Sequence, residues 1–98
     1  MADHEQSYGD WRAEQHRRSQ AHAVLWAERA TTSYETATRH EDDARRHDGN
    51  AYMQHSAAED RRNAAIHGAR SAEAIRLAEM WSRVAVALAE TGGQHPAT

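Results

Sequence analysis

His47-Asp48-Gly49-Asn50 is the one clear interruption in the middle of a chain that otherwise reads as helix. Glycine enters the left-handed conformation without a β-carbon penalty, so Gly49 suits the position just past a helix end, and Asn50 suits the cap of the next helix. Upstream, neither Pro nor Gly occurs from Asp10 to His47, and strong helix formers dominate. Downstream, a similar composition runs to Glu90, ahead of Thr91-Gly92-Gly93. The spacing predicts a lead-in over residues 1–9, a helix over 10–47 capped by Asp10, a turn at 48–50, a helix over 51–90 and a frayed tail over 91–98. So short a link makes the two helices antiparallel neighbours, giving an all-α, coiled-coil-like hairpin.

The arms carry a matching repeat. Ala23, Ala30, Ala37 and Ala44 recur every seven residues in the first, and Ala51, Ala58, Ala65 and Ala72 do so in the second. Folding back near His47-Asp48 sets Ala44 against Ala51, Ala37 against Ala58, Ala30 against Ala65 and Ala23 against Ala72, with Ala27 facing Gly68. Small side chains in facing rows let helix axes approach closely, and a seven-residue repeat implies a gentle left-handed supercoil. Pairs such as Glu14–Arg18, Glu35–Arg39 and Glu41–Arg45, each with Glu four residues ahead of Arg, mark a solvated face.

Larger apolar residues fall outside that row. Ile66, Leu77, Met80, Trp81, Val84 and Leu88 form a stripe on the second helix, about 100° round from the alanines at the rotation expected per residue. Trp11, Leu25 and Trp26 are the main large apolar groups of the first helix, all remote from the turn. One hairpin has little with which to cover these nine residues. The expectation is that they form an interface, pairing two hairpins into a homodimeric four-helix bundle or receiving another protein.

Composition removes several function classes. The 98 residues include twelve Arg, fifteen Asp plus Glu and no Cys, for a net charge of −3. Thiolate metal sites and disulfides are thereby excluded. Charges of both signs are interleaved, so nothing steers the chain onto nucleic acid. No apolar run approaches a membrane span and no signal peptide is evident at the start, so the cytoplasm is the expected location. No nucleophile elbow, phosphate loop or His-Glu-x-x-His zinc motif occurs, so the chain reads as non-enzymatic and without a cofactor.

Histidine offers the alternative. The fold-back register sets His40 opposite His55, with Glu59 one turn further on, a set of side chains that could hold Zn²⁺. Protonating all eight His would also move the net charge from −3 to +5, and His40 facing His55 would then repel. This second reading is a metal- or pH-responsive helical bundle.

In layout, about one hundred residues with a central reversal, the chain resembles the Trp-x-Gly helical-hairpin substrates of specialised secretion systems. The likeness covers architecture alone. His47-Asp48-Gly49 stands where that family's Trp-containing turn would be, and the last Tyr is Tyr52, so a C-terminal Tyr-x-x-x-acidic signal is missing. The resemblance implies a third reading, an exported hairpin.

Overall fold

The computed structural model describes residues 2–93, and the side chains of residues 7–89. Helix α1 spans Ala2–His47, a single 3-10 turn spans Ala51–Met53, and helix α2 spans Gln54–Gly93. The two helices pack against each other as a hairpin.

α1 starts earlier than expected from sequence, and α2 is displaced, starting and ending three residues later than expected. α1 begins at Ala2 and runs through Gly9 and Asp10, so neither the lead-in nor the Asp10 cap is present. Glycine inside a helix costs about 1 kcal/mol relative to alanine, which neighbouring turns can absorb; proline, the residue that would stop the helix, does not occur there. α2 likewise continues past Glu90 to Gly93. Of the tail expected over 91–98, residues 91–93 belong to α2 and 94–98 lie outside the described residues.

The reversal differs in kind from the expected left-handed glycine cap. No described residue, Gly49 included, has a positive φ. Instead the Asn50 amide donates to the His47 carbonyl at 3.1 Å, and Asn50 turns to an extended conformation (φ −116°, ψ 114°). Its side-chain oxygen accepts the Tyr52 amide at 2.9 Å, so Asn50 caps as expected, but what it caps is the 3-10 turn. Gln54 ties the corner by donating to the carbonyls of Asp48 at 2.9 Å and Asn50 at 3.2 Å. Arg45 and Arg46 place positive charge at the carbonyl end of α1, where the helix dipole favours it.

The extra turn moves the register. In the half nearer the turn, residues 27–75, Ala30, Ala37 and Ala44 of α1 are buried, as the repeat predicted. Their counterparts on α2 are Ala57, Ala64, Ser71 and Ala74, while Ala51, Ala65, Ala72, Ala27 and Gly68 are exposed and Ala58 only half-buried. Ser71 Oγ donates to the Ala30 carbonyl at 2.9 Å, which fixes Ser71, rather than Ala65, opposite Ala30. The fold-back point therefore lies later than His47-Asp48, because residues 51–53 are spent on the 3-10 turn before α2 begins.

In the open half, residues up to 26 and from 76 onward, Ser19 and Ala85 are buried. Ser19 Oγ donates to the Gln15 carbonyl at 2.8 Å, which satisfies its hydroxyl within its own helix. Arg12 crosses to α2 and donates from Nη2 to the Leu88 carbonyl at 3.0 Å.

Buried apolar residues are all alanine, and among the described residues no large side chain is fully buried. A buried methyl contributes about 0.8 kcal/mol, against about 1.5–3 kcal/mol for a fully buried Leu or Ile. The fully buried part of the seam thus sets geometry well and contributes little apolar stabilisation.

Candidate functional site

The largest apolar side chains concentrate in the open half, and the helical repeat sorts them. Trp26, Trp81 and Leu88 are half-buried at seam positions: Trp81 stands four residues before buried Ala85 and Leu88 three after it. This corrects the expectation that large apolar groups avoid the seam. Being one step removed from the row chosen on sequence, the true row takes in Trp81 and Leu88. The Trp81 ring stacks on His22 of α1, with centroids 4.5 Å apart and planes inclined by 25°.

Beside that stack lies an exposed row. Leu77, Met80 and Val84 follow one another at spacings of three and four on α2, with Met80 40% and Val84 36% exposed and Leu77 half-buried. On α1, Leu25 stands three residues after His22, and Trp11, 54% exposed, lies two seven-residue repeats before Leu25. Trp11 is backed by Tyr8, its ring 6.0 Å away. The His22–Trp81 stack joins the α1 and α2 rows into one flank. Ile66 is also exposed but belongs to the half nearer the turn.

Glu14 is paired within α1 at this end. Glu14 accepts from Arg17 and, at 3.1 Å, from Arg18. The Arg17 hydrogen bond, with its charge and that of Arg18, holds the Glu14 carboxyl below its ordinary range. The other flank carries a shallow groove of about 480 Å³ between Val24 and Val86, floored by Ala23 and Ala85 and edged by His16 and Gln20. Val86 lies two residues beyond Val84, about 200° round the helix, so the two flanks are distinct surfaces.

The proposed zinc ligands are not assembled. Opposite His40 the structure places Asp60, with Oδ1 2.9 Å from the His40 Nδ1. His55 is 83% exposed and pairs along its own helix with Glu59 at 3.3 Å. The later fold-back carries His55 toward the turn, away from His40. Among the described residues, no group of three or more His, Asp or Glu is placed to hold a metal ion.

What the turn half does assemble is a different polar group. His47 Nδ1 lies 3.6 Å from Asp60 Oδ2, and the His67 ring lies parallel to His40 with centroids 5.8 Å apart. The signal for it stands in the sequence: His40 and His47, like Asp60 and His67, are seven residues apart, in step with the buried alanines. The wrong register concealed that these two pairs share a seam.

No helix of the described chain is long and apolar enough to cross a membrane. Comparison with protein-family models, curated proteins and solved structures finds no match.

Proposed function

We propose that this chain is a non-enzymatic, self-associating helical module, in which two hairpins pair through the flank formed by Trp11, Leu25, Leu77, Met80 and Val84 to make a four-helix bundle. The observation that carries this reading is the inversion of the usual apolar distribution. The described core consists of alanine and serine, while Trp11, Leu25, Met80 and Val84 face solvent. Exposed large apolar side chains beside a weak core, separated on α1 by Arg18, favour a surface that completes its packing against a partner.

A second copy suits the flank chemically. Glu14 already engages Arg17 and Arg18, which offsets part of the positive charge that two copies would bring together there. Row and counter-row come from both helices, so a two-fold axis would set Met80 and Val84 of one copy over Trp11 and Leu25 of the other.

Sedimentation equilibrium from about 1 to 100 μM tests the proposal, the range in which a moderate dimer dissociates. The expected result is a concentration-dependent shift from one chain of 11.0 kDa to two. Met80→Glu with Val84→Glu should leave only the single chain. A stable, helical single chain throughout, with the unaltered sequence, would overturn the reading.

A further inference from the structure

The polar group in the turn half shares no residue with the flank proposed to pair, and it is incomplete in one specific way. Asp60, 17% exposed, comes from α2; His40 and His47, one heptad apart, come from α1. His40 Nδ1 is within hydrogen-bond distance of Asp60 Oδ1 at 2.9 Å. His47 Nδ1 is buried and has no hydrogen-bond partner, and at 3.6 Å its approach to Oδ2 is too long to count as one. A buried, unpaired ring nitrogen beside a carboxylate oxygen costs stability unless it carries a proton. The neutral Nδ1–H tautomer supplies an uncharged donor there, and a second proton, on Nε2, turns it into a charged donor aimed at a charged acceptor.

Two other carboxylates nearby are already engaged. On α1, Asp43 accepts from Arg46 at 2.6 Å. Across the turn, Asp48 accepts from Arg61 of α2. His67, the remaining titratable group against His40, presents a parallel ring and no carboxylate. Asp60 is thus the carboxylate that both α1 imidazoles reach among the described residues.

We propose that Asp60, His40 and His47 form a proton-operated clasp that draws the two arms together at the turn end as pH falls through the imidazole range, from about 7.5 to about 6. The proton strengthens a contact between α1 and α2, so uptake on folding makes the hairpin more stable in mild acid. The sign is opposite to the repulsion anticipated from His40 facing His55, because a carboxylate occupies that place.

Thermal melts followed by far-ultraviolet circular dichroism at pH 7.5 and 6.0 test this, at fixed concentration and with the Met80→Glu, Val84→Glu background alongside to separate it from assembly. The expected wild-type result is a rise in Tm of about 4 °C or more at the lower pH, the scale of one strengthened charged contact in a domain this size. Asp60→Asn, which keeps shape and removes charge, should abolish or invert the rise, and His47→Gln should remove most of it. His55→Gln should retain it. A wild-type Tm that is flat or lower at pH 6.0, or a full rise surviving in Asp60→Asn, overturns the proposal; should Asp60→Asn fail to fold, a full rise in His47→Gln overturns it equally.

Discussion

Gly68 lies deep within α2, and nothing stands within 4 Å of where a β-carbon would be added. Replacement by alanine therefore removes backbone freedom from the unfolded chain and adds no clash. Gly68→Ala should stabilise the hairpin by about 1 kcal/mol, read as a higher urea midpoint at unchanged slope. Had Gly68 faced Ala27 across the seam, the same methyl would push the arms apart and the midpoint would fall. Gly49 is equally open, and its φ is not in the left-handed region, so Gly49→Ala should add about 0.4–1 kcal/mol rather than break the turn. Glu14 supplies the converse, a charge effect confined to the surface. Its lowered pKa means that the ionised form favours the folded helix, so its contribution is present at neutral pH and fades as pH falls through the carboxylate range. Glu14→Gln should lower Tm slightly at pH 7 and leave it unchanged in strong acid, and added salt should shrink the difference.

At the scale of the helix, one residue of phase separates the two candidate seams. Ala57 and Ala64 face α1, so Ala57→Leu or Ala64→Leu forces a branched side chain between closely packed arms and should cost about 1–3 kcal/mol. Ala65→Leu and Ala72→Leu add the same atoms to exposed positions and should change stability by no more than about 0.5 kcal/mol. Chemical denaturation of the four variants compares the two rows directly. The α1 row, Ala30, Ala37 and Ala44, was legible from its repeat because its members have no alanine beside them. On α2 the repeat is ambiguous: Ala57-Ala58, Ala64-Ala65 and Ser71-Ala72 each offer two adjacent small residues. A row and its neighbour are then equally good by composition, and the choice passes to the length of the turn. That length depends on whether Ala51–Met53 starts α2 or forms a separate 3-10 turn, a difference of a few local hydrogen bonds with little trace in residue type. Once the register slipped, His40 lost Asp60 and acquired His55, so the histidine pairing was misread for the same reason. The apolar row Leu77, Met80 and Val84 survived the error, because spacing within one helix does not depend on the partner.

For the molecule as a whole, a weak core beside exposed apolar surface would make stability a question of concentration if two hairpins pair as proposed. A hairpin held by alanine contacts gains modest burial per residue, whereas covering Trp11, Leu25, Met80 and Val84 removes several large side chains from water at once. If the folded pair is the species that hides them, dilution should cost stability, since assembly favours the folded state by mass action. Tm is then expected to climb with protein concentration, and the climb should vanish in Met80→Glu with Val84→Glu, which place charge in the flank without touching the alanine seam. The opposite flank provides the internal control. Val24 and Val86 are at least as exposed as Met80 and Val84, and the groove between them is similarly apolar. It lacks an aromatic anchor comparable to Trp11, the kind of residue on which interfaces concentrate their binding energy. Val24→Glu with Val86→Glu should therefore leave the concentration dependence intact. If that pair abolishes assembly and the Met80–Val84 pair does not, the two-fold contact lies on the valine groove and the Trp11 flank is free for another partner.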